Sequence, residues 1–217
     1  MQPNLPPYGP SYGTGAFGPP PGQFGNPFYD PSGPPAAITP AGSGGFALKW
    51  LAVGGYACGL VGVAMVAVLS TRDVRPDGFD AAAVTAVLTF GLGAVLWVAG
   101  ALGWIYASWS FLPPAYRRSA SGRAFTPAGA VAWHLVPLYN LYWVFAQNLG
   151  YCEAVDAVMV QSGRGARAPK ALATVACVLQ VVPYLNFLAA PIAWMAYMFA
   201  MDSVKAQLTA RPAPRRR

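Results

Sequence analysis

Residues 48–69, LKWLAVGGYACGLVGVAMVAVL, decide the fold class of this 217-residue chain. No charged residue occurs from position 50 to position 71, and the 22 quoted residues extend about 33 Å as a helix. A bilayer's hydrocarbon core is about 30 Å thick, so this stretch is predicted to cross a membrane. Longer uncharged runs follow at 81–116, 124–152 and 171–201. The chain is therefore predicted to be all-α, a multi-pass transmembrane helical bundle with four hydrophobic segments.

The composition agrees with a membrane protein. Hydrophobic residues make up 55% of the chain and charged residues 10%, whereas soluble domains carry about 25% charged residues. The net charge of +7 comes from basic residues in short clusters between the apolar runs, as in membrane-protein loops. We therefore expect the partner of this charge to be the lipid bilayer and not a nucleic acid.

Residues 1–45 form a separate region with its own composition. They contain 12 Pro and 10 Gly, six aromatic residues and a single charge. Such a segment buries too little apolar area to offset the entropy of ordering it, which predicts a disordered tail. The tail is either an arm that binds a protein partner or a tolerated linker. The predicted domains are this tail, a transmembrane domain at 46–208 and a basic C-terminal tail at 209–217.

The third and fourth apolar runs contain a repeat with an offset of 46 residues. HLVPLYN at 134–140 corresponds to QVVPYLN at 180–186, and Asp156 corresponds to Asp202. Over 136–158 the two copies share 7 of 23 positions. An internal duplication of a Pro-x-x-Asn element is the simplest explanation, and the last two segments are predicted to be broken at it.

The prolines of the repeat explain the break. Pro137 has no N–H for the carbonyl of Trp133, and Pro183 has none for that of Leu179. Since an unpaired carbonyl is costly in hydrocarbon, either the adjacent polar side chains repair the backbone or they line a polar site at mid-membrane. The candidate helix-break site consists of His134, Pro137, Asn140, Gln180, Pro183 and Asn186.

The basic residues constrain the topology, because cytoplasmic loops are enriched in Lys and Arg. Four simple crossings place nine basic residues inside and five outside. If each Pro-x-x-Asn is instead the tip of a re-entrant hairpin, twelve lie inside and two outside. Both topologies predict a multi-pass protein of the cell membrane with cytoplasmic N- and C-termini. Four segments, the last two broken, are the favoured arrangement.

Small residues in the first segment predict close helix packing. Gly55 and Gly59 form a GxxxG pattern, which lets two helix backbones approach. The pattern suits either a homodimer or, the favoured alternative, packing of the first two segments within one chain.

Few residues are suited to catalysis. The chain has one histidine, one glutamate, no HExxH or P-loop and no CxxC pair, so neither an enzyme nor a cofactor or metal site is predicted. Glu153, Asp156 and Asp202 are candidate interfacial acids. They either bind a proton or cation, or pair with nearby basic residues, namely Arg164, Arg167 and Lys205.

Residues 104–208 resemble a family of uncharacterised bacterial multi-pass membrane proteins. The resemblance lies in YRR at 116–118, FTP at 125–127 and VPLYNLYWVF at 136–145. VPYLN at 182–186 and Asp202 are similar to the family's last helix. The resemblance to this family implies a Pro/Gly-rich N-terminal tail, and it implies no activity, cofactor or catalytic residue.

Two functions from different classes fit these features. The first is a non-enzymatic membrane module whose cytoplasmic tail recruits a partner. The second is a small transporter or conduit that uses a polar site at the duplicated breaks.

Overall fold

The computed structural model describes residues 44–71, 81–117 and 124–210. All regular elements in these ranges are helices. Six α-helices follow one another, with short 3-10 turns at Pro114–Tyr116 and Trp133–Leu135. In chain order they are α1 Leu48–Ser70, α2 Ala81–Phe111, α3 Pro127–Ala132, α4 Tyr139–Gln161, α5 Lys170–Val181 and α6 Leu185–Thr209.

Three of these helices, α1, α2 and α6, are long and apolar enough to cross a membrane. The third predicted segment is divided between α3, a 3-10 turn and the first part of α4. Helix α4 has the length of a membrane span, but polar residues such as Gln147, Asn148 and Glu153 make it less apolar than the three spans. The structure thus contains three long apolar helices where four hydrophobic segments were predicted.

Helices α1 and α2 pack closely along their length because glycines face the opposite backbone. A Cβ added to Gly55 would overlap the backbone at Leu96 and Trp97. A Cβ added to Gly93 would likewise overlap the backbone of Gly59. The GxxxG pattern therefore serves packing within the chain, which was the favoured alternative, and a homodimer through it stays a prediction.

The second half of the chain forms two helical hairpins. The indole N–H of Trp143 in α4 donates to the Ala130 carbonyl of α3 at 2.9 Å, so α3 folds back along α4. At its beginning α5 contacts α4 through Lys170, which lies 3.8 Å from Glu153. Tyr197 of α6 lies 3.6 Å from Cys152, on the same part of α4. The beginning of α5 and the second half of α6 therefore share one level, so α5 and α6 are antiparallel.

The two hairpins turn in the same way, as expected of a duplication. Leu138 (φ 61, ψ −46) and Tyr184 (φ 67, ψ −39) are 46 residues apart and are the non-glycine residues with positive φ in the described ranges. Directly after them, the Asn140 N–H donates to the Val136 carbonyl at 3.0 Å, and the Asn186 N–H to the Val182 carbonyl at 3.2 Å. We call residues 136–138 and 182–184 the two tips.

The second tip lies level with the middle of α1. The Tyr56 hydroxyl, eight residues into α1, donates to the Leu188 carbonyl in the first turn of α6 at 3.2 Å. Lys49, at the beginning of α1, lies 2.8 Å from Asp202 near the end of α6. Helix α6 therefore runs antiparallel to α1, from its middle back to its N-terminal end.

Candidate functional site: a polar pocket between the two tips

The structure brings the polar residues of both repeat copies together around one pocket. His134, Asn140, Gln180 and Asn186 all line a pocket of about 320 Å³. Its volume lies at the lower end of the range for small-molecule sites, about 300–1,000 Å³. Pro137 and Pro183 are exposed at the tips and do not line it.

The remaining wall of the pocket is apolar and comes mainly from α2 and α6. In α2 it includes Trp97, Leu102 and Ile105, and in α6 it includes Ala190, Trp194 and Met198. In α6, Asn186, Ala190, Trp194 and Met198 are four residues apart and share one helix face. This four-residue spacing is the sequence signal by which the α6 wall, which the sequence analysis missed, could have been found.

Three polar atoms of the pocket residues are buried and unpaired. The His134 Nδ1 lies 2.9 Å from the Ala130 carbonyl oxygen, which assigns the ring proton to Nδ1 and leaves Nε2 as an acceptor. That Nε2 and the side-chain oxygens of Asn140 and Asn186 have no hydrogen-bond partner. The Gln180 oxygen is satisfied, because it accepts from the Trp194 indole N–H at 2.6 Å.

The tip backbones are closed mainly by backbone hydrogen bonds. The Val136 N–H donates to the Trp133 carbonyl at 3.4 Å, and the Val182 N–H donates to the Val178 carbonyl at 3.3 Å. Within the described residues neither Asn140 nor Asn186 donates its side-chain amide to a tip carbonyl. Among the four polar side chains, that of His134 bonds a backbone carbonyl in the described residues, namely the Ala130 carbonyl four residues before it.

Asp202 lies in a second, separate polar cluster. Its carboxylate is 2% exposed and accepts from Lys205 at 2.6 Å, from Lys49 at 2.8 Å and from the Trp104 indole at 3.0 Å. Lys205, which is fully buried, also donates to the Gly44 carbonyl and to the Ser108 hydroxyl. The predicted pairing with Lys205 is thus present, and the distant Lys49 was the partner that sequence spacing missed.

The other two candidate acids lie where α4 meets the beginning of α5. Lys170 is 3.8 Å from Glu153 and 3.9 Å from Asp156, and Asp156 also accepts from the Ala168 N–H at 2.6 Å. Both acids are partly exposed and lie outside the pocket. Their partner is therefore Lys170, while Arg164 donates to the Ala210 carbonyl.

In the described part of the chain, no three His, Cys, Asp or Glu side chains lie close enough together to hold a metal ion. Its cysteines, Cys58, Cys152 and Cys177, are free thiols.

Comparison of the chain with protein-family models, curated proteins and solved structures finds no match. The resemblance seen in the sequence therefore stays a prediction.

Proposed function

We propose that the protein lies in the cell membrane, with α1 and α2 spanning the bilayer and the two hairpins entering it as re-entrant segments. The level of the second tip supports this arrangement, because the turn that follows it contacts Tyr56 near the middle of α1. Residues beside the first tip line the same pocket as Trp97, near the middle of α2. A re-entrant segment is tolerated at this depth where its irregular backbone packs on protein or lines a cavity. Residues directly beside the tips, among them Leu135, Asn140 and Asn186, line the pocket, whereas Leu138 and Tyr184 at the tips are exposed.

The distribution of charge supports the same topology. Both hairpins open toward the end of the structure that carries the beginning of α1. The re-entrant topology therefore places twelve basic residues on one side and two on the other, against nine and five for four crossings. The basic side is cytoplasmic by the positive-inside rule, and it holds both termini.

The pocket is the proposed functional site, a place where a small polar solute binds within the membrane on its way across. One observation carries this proposal. Each copy of the repeat contributes two polar residues to one pocket, and three buried polar atoms of these four residues have no partner. A polar group buried without a partner costs about 1–3 kcal/mol, and an occupant that bonds these atoms removes that cost.

Solute flux into proteoliposomes tests the proposal. Purified protein is reconstituted, and the entry of radiolabelled small polar solutes is measured above that of protein-free vesicles. We expect protein-dependent entry that falls at least about tenfold in Asn140→Leu and in Asn186→Leu, since each substitution removes one pocket acceptor.

Asn148→Leu is the matched control for these two variants. Asn148 is a buried asparagine of α4 whose side-chain oxygen is likewise unpaired, but it does not line the pocket. Its flux per reconstituted protein should equal that of the wild type. Equal flux in all three variants would show that transport, if present, does not use the pocket.

The tail provides the second candidate function, recruitment of a partner by a non-enzymatic module. The segment that follows the tail contacts α6, because the Gly44 carbonyl accepts a hydrogen bond from Lys205. A partner held by the tail would therefore be anchored next to the bundle. Purification of the full chain and of a form lacking residues 1–43 tests this, since a specific partner must be lost with the tail.

A further inference from the structure

We infer that the solute of this pocket is uncharged and carries several N–H or O–H donors; this inference rests on the proposed function. The two asparagine oxygens and the His134 Nε2 are hydrogen-bond acceptors without a partner. The one acceptor that already has a donor, the Gln180 oxygen, receives it from the protein itself. A molecule with N–H or O–H donors would satisfy these three acceptors, while the side-chain N–H groups of the same asparagines can donate to its oxygen atoms.

The pocket supplies no charge to balance an ion. None of the described side chains that line it is Asp, Glu, Lys or Arg. Moving an unpaired ion from water into such surroundings costs far more than moving a neutral polar molecule. A cation and an anion are both disfavoured on this ground.

The Asp202 cluster adds a second barrier to cations. It combines two lysines with one carboxylate and thus carries a net charge of about +1 when all three groups are ionised. Asp202 lies one turn beyond Met198, a residue of the pocket wall, on the same face of α6. Because charges inside a protein are weakly screened, this positive charge raises the energy of a cation in the pocket.

Urea and guanidinium separate these requirements. They share size, planar shape and N–H donors, but only guanidinium is charged. Acetamide and acetate form a second pair, in which acetate is negatively charged and has no N–H donor. Each radiolabelled solute is supplied at trace concentration to wild-type and Asn140→Leu proteoliposomes, and the difference between the two gives the pocket-dependent flux.

We expect pocket-dependent entry of urea and acetamide, each at least about tenfold faster than its charged counterpart. If guanidinium or acetate enters as fast as its neutral counterpart, this inference is overturned while the proposed function stands. If none of the four solutes shows pocket-dependent entry, the proposed function itself fails.

A charge substitution of the same size gives an independent readout. Asn140→Asp places a carboxylate in the pocket, and Asn186→Asp does so in the other repeat copy. In each variant that remains monodisperse in detergent, the ratio of guanidinium to urea entry should rise at least about tenfold. An unchanged ratio in both variants would contradict selection by charge. If neither variant folds, the comparison of the four solutes in the wild type tests the inference.

Discussion

At the scale of single residues, the two pocket asparagines, whose side-chain oxygens are buried, and the buried Asp202 have different surroundings. The Asn140 oxygen is unpaired, whereas each oxygen of Asp202 accepts from at least one donor. A buried polar atom without a partner lowers the stability of the fold. Removing a buried carboxylate that is fully paired also lowers it, because the partner charges are left without a counter-ion. Opposite effects on stability are therefore expected when these two side chains are replaced.

Asn140→Leu should stabilise the fold by about 1 kcal/mol, because it removes a buried acceptor that has no donor. A rise in the detergent melting temperature, together with lost solute flux, would show that Asn140 is kept for function. The backbone-repair hypothesis predicts the reverse, a loss of about 1–2 kcal/mol that Pro137→Ala recovers in the double variant. That pair of results would contradict the polar site.

Asp202→Ala should destabilise the protein by about 3–5 kcal/mol, since it leaves two lysines buried without their counter-ion. Asp156→Ala is the matched control at the equivalent repeat position. Asp156 is 19% exposed, and its partner Lys170 is 45% exposed, so the loss there should be clearly smaller. Chemical denaturation in detergent measures both. Equal losses would mean that burial of the Asp202 cluster is not what stabilises it.

At the scale of elements, the tips carry backbone strain. Leu138 and Tyr184 lie near the γ-turn conformation, which is rare and strained for a residue with a side chain. Their side chains are 84% and 86% exposed, so they gain little from packing on the protein. The same strained conformation at both tips indicates that the surrounding helices enforce it.

Leu138→Gly and Tyr184→Gly should each raise the free energy of unfolding by about 1 kcal/mol, because glycine adopts positive φ without a steric cost. Leu141→Gly is the control, since Leu141 is also exposed but lies inside α4, where glycine should cost about 1 kcal/mol. Thermal denaturation of the three variants in one detergent measures these differences. Destabilisation at both tips would show that the side chains, and not the strain, dominate there.

At the scale of the whole molecule, the loop between α4 and α5 distinguishes the two topologies. The re-entrant arrangement places this loop on the cytoplasmic side, together with both termini. Four simple crossings place it on the opposite side. Gly165 in this loop is exposed, and a Cβ added there would meet open space.

Gly165→Cys, in a chain whose three native cysteines are replaced by Ala, should react with an impermeant maleimide only from the cytoplasmic side. Asp73→Cys, at a position between α1 and α2 in the sequence, is the control and should react only from the other side. Labelling of intact cells and of inverted vesicles measures both positions. Reaction of Gly165→Cys from outside would establish four crossings and exclude re-entrant hairpins.

The sequence by itself determined the helical class, the membrane-spanning potential and the duplication, because these depend on local patterns. The length of an uncharged run can be compared directly with the thickness of a bilayer. Pro137 and Pro183 lie in the short gaps before α4 and α6. The two positive-φ residues, Leu138 and Tyr184, each follow a proline of the repeat, but the sequence analysis did not predict their conformation. Gly44 and Gly45, which the sequence analysis assigns to the tail, are buried within the folded part, and residues 1–43 lie outside the described ranges.

The tertiary structure alone decided which of these residues meet. Lys49 pairs with Asp202 across 153 positions, and Trp97 joins the pocket wall from another helix. The four polar residues of the repeat share a pocket only because both hairpins fold back to the same level. Contacts of this kind depend on how helices pack in three dimensions, which local periodicity does not encode.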